Sequence, residues 1–226
     1  CCFLCLPLIT RGKVIAVIYL ENSQYSHIFT DERSEILKAI SAQAAISIKN
    51  ARLYQMAITD GLTNLYIRRY FDMKLPQEFK RALRYKRRLS LVTFDIGHSK
   101  NIKDIYGHLA GDEVLQTIAS ILVRHFRKDD IVIRCGGDEF VVVLLGASSK
   151  EAEELSERAR VAISEHKYFS EVEGTEVEVP LSFSIGVAIY PDDGQSGDVL
   201  LYHADRRLYE QKELRRAKQT KRGQGF

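Results

Sequence analysis

The sequence predicts an α/β sandwich, one sheet with helices packed against it, behind a smaller β-rich block. Three observations predict it. After Asp60, short apolar runs alternate with amphipathic stretches of helical period. Two of those runs meet at Gly136-Gly137, the composition of a tight hairpin turn. Before Asp60, two β-forming runs are followed by one long helical pattern.

Residues 3–9 and 13–20 are the first two runs, parted by the turn signal Thr10-Arg11-Gly12. Thr30 is an N-cap followed by the acids Asp31 and Glu32, which suit the positive end of a helix. Leu37, Ile40, Ala44, Ile48 and Ala51 then recur at spacings of three and four, and this helix is expected to stop near Asp60-Gly61. Beyond it the pattern predicts a helix over 68–86, a buried strand over 89–95, a helix over 108–125 and strands over 131–134 and 139–145. A helix over 150–166, an alternating strand over 181–188 and a final helix over 198–218 complete it.

The chain has 226 residues, 45% hydrophobic and 28% charged, which suits one large domain or a domain plus a fragment. A net charge of +3 gives no broad footprint for nucleic acid or membrane, and the apolar runs are too short to span a bilayer. The basic stretch 212–222 faces either phosphates or water. Of four cysteines, Cys2 and Cys5 form a C-x-x-C, but residues three apart on a strand point to opposite faces. No second pair follows, so buried thiols in a reducing cytoplasm are the expectation. The chain opens without Met and in mid-pattern, as a piece of a longer protein would. No G-x-x-x-x-G-K-[ST] loop, H-E-x-x-H or Cys/His cluster offers a rival chemistry.

The carboxylates are the informative residues. "RCGGDEFVVVLL" sets Asp138 and Glu139 directly after two glycines that allow a tight turn and close approach of a ligand to the backbone. Alone, this is most simply a hairpin. Asp95 ends the strand "LSLVTFD", and a strand-end acid beside a neighbouring turn would complete a hard oxygen site for Mg²⁺, which takes carboxylates plus substrate phosphates.

Together, "DGLTNLYIRRYF", "DIGHSKNIKDIYGHLAGDEVL", "RCGGDEF", "SFSIGVAIYPDDG" and "ADRRLYEQK" have the order and spacing of a GGDEF domain, and the chain resembles that family from Asp60 to about Arg216. The run "LPLITRGKVIAVIYLENSQYSHIFTDERSEILKAISAQAAISIKNARLY" resembles the C-terminal part of a GAF domain. The expected division is therefore 1–58, GAF fragment with connecting helix, and 59–226, GGDEF domain. The resemblance implies a central, mostly antiparallel sheet wrapped by helices, related to nucleotidyl cyclases and polymerase palms. It also implies a diguanylate cyclase under sensor control. Two GTP held by two facing copies would be condensed into cyclic di-GMP with loss of pyrophosphate, using Mg²⁺ or Mn²⁺.

The roles it implies are these. Asp95, the Ile96 carbonyl, Asp138 and Glu139 hold metal, with Glu139 also credited with activating the 3′-hydroxyl. Gly136 and Gly137 accommodate the nucleotide, and the backbone of His98, Ser99 and Lys100 binds phosphate near a helix start. Lys212 and Arg216 add phosphate contacts, and Asp112 accepts from the guanine edge. Arg127 and Asp130, an R-x-x-D upstream of the signature, match an inhibitory product site to which the resemblance adds the nearby Arg134. Four positions depart from the pattern. Lys103 stands where the family has a guanine-reading Asn, Gly97 for Asp, Ser99 for Phe and Ile67 for Asn. An amide offers donors and an acceptor, whereas Lys only donates. Two alternatives therefore stay open: a domain that binds GTP or cyclic di-GMP without turnover, and a mixed-base cyclic dinucleotide synthase.

Overall fold

The structure, a computed structural model, describes residues 2–25, 27–97, 99–172, 175–179 and 181–223. The chain divides into two compact units, residues 1–57 and 58–226.

In the first unit, β1 (Cys2–Thr10) and β2 (Lys13–Asn22) form an antiparallel hairpin. Its turn carries Arg11 and Gly12 at φ 49° and 75°. The helix α1 (Asp31–Ile58) starts where expected: the Thr30 hydroxyl oxygen accepts from the Arg33 N–H at 3.4 Å. Leu6, Leu8 and Ala45 are buried in this unit.

The second unit runs β3 (Tyr66–Ile67), α2 (Arg68–Tyr85), β4 (Leu89–Gly97), α3 (Ser99–His125), β5 (Ile131–Gly136), β6 (Glu139–Leu145), α4 (Ser149–Glu165), β7 (Phe169–Val172), β8 (Thr175–Glu178), β9 (Ser182–Tyr190) and α5 (Gly197–Gly223). The main sheet has the order β3-β5-β6-β4-β9. Every pairing is antiparallel except the short β3 on β5. β7 and β8 make a separate hairpin.

β4 lies between β6 and β9 in this sheet. It is buried on both faces from Leu89 to Ile96, its polar Ser90, Thr93 and Asp95 included, so its sequence shows no apolar-in, polar-out alternation. The alternation is between two cores. Val92, Phe94 and Ile96 join Phe140, Val142 and Leu144 against Leu115, Ile118 and Leu122 of α3 and Ile163 of α4. Leu89 and Leu91 join Val141 and Val143 against Phe71 and Leu75 of α2 and Leu200 and Ala204 of α5. Both faces of the sheet are covered, and β4 belongs to both layers.

Several helix ends are set by local chemistry. α2 stops at Lys86, which takes the left-handed conformation at φ 51°. α4 opens with a capping box: the Ser148 hydroxyl oxygen accepts from the Glu151 N–H, and the Glu151 carboxylate accepts from the Ser148 N–H. α3 is two helical stretches joined at Gly107, whose φ of 86° and ψ of 167° break the ladder. The expected helix over 108–125 is its second stretch. The first, from Ser99, is too short and polar to show a period. The strand expected over 89–95 runs two residues further, to Gly97, because β9 pairs with it there.

Candidate active site

The site lies at the end of β4 where three strands bring side chains to one rim. Asp95 pairs in register with Glu139 on β6 and with Ser184 on β9. Gly136 and Gly137, at φ 155° and 50°, turn β5 into β6 in conformations that a side chain would resist. That turn delivers Asp138 to the neighbouring backbone, and the Ile96 N–H donates to the Asp138 carbonyl at 3.3 Å.

Asp95 is 7% exposed. Burial pushes its carboxyl above the ordinary carboxylate range and the Asp138 charge pushes it the same way, while Lys212 and Arg215 oppose. The Lys212 ammonium sits on Asp95 Oδ2 at 2.8 Å. The acid pair thus already gathers a cation, which is the electrostatic demand that a divalent metal would meet. Among the described residues no group of three or more His, Cys, Asp or Glu side chains is set to hold a metal. Two carboxylates and the Ile96 carbonyl fit an ion that also takes phosphate oxygens, as Mg²⁺ does. They do not form a closed protein cage.

Beside the acids is a cleft of about 220 Å³. Its walls are Ile96, Ile102, Val114 and Leu115, with Lys103, Gly111, Gly137 and Asp138 also lining it. Asp112 is half-buried on α3 and is not among the described residues lining this cleft. His98 lies outside the described residues, as do the side chains of Ser99, Lys100 and Arg216.

The signature turn is braced from below. Arg134 Nε and Nη2 donate to the Gly137 carbonyl at 3.1 and 2.8 Å, and Nη1 donates to Asp60 Oδ1 at 2.9 Å. The same Asp60 oxygen accepts from the Thr63 N–H and hydroxyl at 2.9 and 2.6 Å. Burial alone would raise the Asp60 carboxyl, but the bonds from Thr63 and Arg134 outweigh it and hold it below its ordinary 3.8. A depressed folded value gives stability that is present above 3.8 and is lost as pH falls through the lower folded value. Asp60→Asn is therefore expected to lower stability near neutral pH and to flatten the acid limb of an unfolding-midpoint profile below about pH 4. An unchanged acid limb would contradict this assignment.

A second, larger groove of about 790 Å³ lies between α2 and the β5 approach. Arg81, Arg87, Arg88, Arg127 and Lys128 line it with Asp130 and the stacked rings of Tyr66 and Tyr70, 4.0 Å apart. Asp130 is spent on backbone: its carboxylate accepts from the Arg127 N–H at 2.9 Å and the Leu145 N–H at 3.2 Å. Arg127 Nη2 reaches Glu151 Oε1 at 3.4 Å. Arg134 is not among the described residues lining this groove, since its guanidinium is turned to Gly137 and Asp60.

Sequence reasoning passed over Arg215 and Asp60. Arg215 Nη1 donates to the Ser184 hydroxyl at 2.9 Å and its charge acts on Asp95. Its spacing of three from Lys212 was the available signal, because such residues share a helix face. Cys135, beside the turn, is a half-buried thiol pushed up to about 11 by burial, which Arg68 only partly offsets.

Comparison with known proteins bears on the family and the fold. Residues 57–218 match the family model described as diguanylate cyclase, GGDEF domain, and residues 2–48 match the GAF domain model. Diguanylate cyclase A of Treponema denticola is 35% identical over 218 residues, covering 95% of this chain and 58% of that protein. This chain thus spans little more than half of that relative's length. The GGDEF domain of DgcB from Caulobacter crescentus, solved in complex with c-di-GMP, is similar with a TM-score of 0.64 and 30% identity, covering 70% of this chain and 91% of that one. The coiled coil and GGDEF domain of the same protein, also with c-di-GMP, gives a TM-score of 0.72 and 25% identity over 81% of this chain and 95% of that one. With its acid-bearing turn on this sheet and the family match over most of its length, the chain belongs to the GGDEF diguanylate cyclase family.

Proposed function

We propose that the protein is a diguanylate cyclase, condensing two GTP into cyclic di-GMP and pyrophosphate, with a sensor-type segment ahead of it. The observation that carries this is the juxtaposition of Asp95 and Asp138 at the rim of an apolar cleft. The cleft suits a base, and the acid pair suits the metal that accompanies its triphosphate. Mg²⁺ or Mn²⁺ held by Asp95, Asp138, Glu139 and the Ile96 carbonyl would neutralise charge on the attacking and leaving oxygens.

The chain's own residues do the rest. Arg134 and Asp60 fix the Gly137 backbone, so the Asp138 carboxylate is placed before substrate arrives. Lys212 exchanges its bond to Asp95 for phosphate oxygens when a triphosphate enters, with Arg216 and the backbone of His98, Ser99 and Lys100 as further phosphate contacts. Glu139, register partner of Asp95, is placed to take the proton of the 3′-hydroxyl. Asp112 is assigned to the guanine edge, and Gly136 with Gly137 leaves room for the nucleotide. One chain presents one nucleotide, so ring closure requires a second copy facing it.

Product inhibition belongs to the cationic groove. Six lysine and arginine side chains and a stacked tyrosine pair suit a ligand with two phosphates and two bases. Arg127 and Asp130 are assigned to this inhibitory site. Arg134 belongs to it only through the turn it braces. Arg127→Ala is expected to raise the cyclic di-GMP concentration giving half-inhibition by about tenfold or more, as loss of a charge-assisted contact implies. Initial rates at added product check this, and an unchanged inhibition curve would remove the groove from regulation.

The decisive assay incubates purified protein with Mg²⁺ and GTP, ATP or both, and identifies products by mass. Cyclic di-GMP from GTP alone supports the proposal. A mixed dinucleotide selects the mixed-base synthase. GTP binding without product in a dimeric preparation selects a binding domain, a reading favoured by the Lys212 contact that occupies Asp95. Lys212→Met is expected to lower turnover by roughly ten- to a hundredfold with the fold intact.

A further inference from the structure

We propose that, on the cyclase reading, Arg215 binds the terminal phosphate of the incoming triphosphate through a guanidinium that Ser184 holds at the β9 end of the rim.

Three strands set out the rim in order of charge. Glu139 on β6, Asp95 on β4 and Ser184 on β9 are register neighbours, so their side chains stand on one face of the sheet, about 5 Å apart from strand to strand. Ser184 is 1% exposed, and its hydroxyl oxygen accepts from Arg215 Nη1 at 2.9 Å. The rim therefore runs acid, acid, guanidinium. A divalent ion belongs between the acids. Phosphate oxygens chelated to it are repelled from the Glu139 side and drawn to the β9 side. Asp138, which lines the cleft suited to the base, immediately precedes β6, and β6 and β9 flank β4 on opposite sides. The end of the triphosphate remote from the base is thus the end that reaches Arg215.

The guanidinium is fixed in place. One turn earlier α5 is clipped to the same strand, where Gln211 Oε1 accepts from the Ile185 N–H at 2.7 Å. Residues four apart share a helix face, so Gln211 and Arg215 hold adjacent residues of β9. Ser184 takes one of the five N–H donors of the guanidinium and leaves the others for a ligand. Lys212 is already paired with Asp95, whereas Arg215 forms no ion pair among the described residues. Arg215 is half-buried, and burial disfavours its charged form. The Asp95 charge favours that form and the Arg160 charge opposes it, with Arg160 itself held by Glu157 at 2.8 Å. A cation drawn out of water without a paired anion is a cost that an anionic ligand offsets. Phosphate is an anion whose geometry the guanidinium fork matches.

Calorimetry at fixed Mg²⁺ with 3′-deoxy-GTP and 3′-deoxy-GDP, which lack the attacking hydroxyl, tests this. The wild-type protein should prefer the triphosphate by about tenfold, the effect of one charge-assisted contact. Arg215→Met should cut that preference to about a third of the wild-type value or less, while the melting temperature of the unliganded protein stays within about two degrees. A substitution that merely unseated α5 from β9 would weaken both nucleotides alike and leave the preference standing. A preference cut by less, a wild type that binds the two nucleotides equally, or a cut accompanied by a larger fall in melting temperature each overturns the assignment and leaves the cyclase reading intact. A wild-type protein that binds neither nucleotide overturns both.

Discussion

Asp138→Asn is expected to reduce cyclic dinucleotide formation by at least about a hundredfold without unfolding the protein. The Asp138 side chain is carried on the turn, and its backbone carbonyl keeps the bond from the Ile96 N–H whatever the side chain is. What the substitution removes is one of two anionic charges at the rim. A metal that relied on both would bind more weakly and neutralise less charge in the transition state. Removal of that charge also relieves repulsion on Asp95, so thermal stability should hold or rise slightly. Product formation by mass and an unfolding scan measured together distinguish this from simple misfolding. Turnover within about threefold of wild type would remove Asp138 from the chemistry.

Gly186→Ala carries the other large effect, and it acts on the fold. Gly186 pairs with Thr93 in the middle of β9. A Cβ there would lie 1.9 Å from the Ala204 carbonyl oxygen and 2.7 Å from the Leu208 nitrogen. Both are backbone atoms of α5, and neither can rotate away as a flexible side chain would. The helix must move off the strand, exposing Ala188, Leu200 and Ala204, which pack together there. A loss of about 3 kcal/mol or more is expected, at the upper end for overpacking. In a domain of this size that is a fall in melting temperature on the order of 6–12 °C. Because Lys212 rides on the same helix, activity at permissive temperature should drop too. A melting point unchanged within about two degrees would show that α5 does not seat on β9 this closely.

Much of this was legible in the sequence, and the parts that were not share a cause. The tight turn signalled by Gly136-Gly137, the buried β4 and the helix over 108–125 are each announced by a long or strongly patterned segment. β3, with only Tyr66 and Ile67, is too short to carry a period, and it exists because β5 offers it an edge. β7 and β8 are four residues each and contain as many charges as apolar side chains. The acids of the site were readable because motif spacing names them. Their partners were not, because they come from distant parts of the chain. The Arg134–Asp60 pair is separated by 74 positions. Asp60 looked like the end of a helix, and its task of bracing the turn from beneath appears only once β5 is folded beside it. Lys103 was legible as a departure from the family pattern, whereas the close approach of its stem to the Gly111 backbone was not.

The seat of α5 on β9 has one more consequence. Lys212 lies four residues beyond Leu208, about 6 Å further along the helix axis. Its ammonium is therefore moored to a rigid beam and can trade one oxygen for another without wandering. In the proposed cycle, departure of pyrophosphate returns it to Asp95, so the two facing acids are never left to repel each other between rounds.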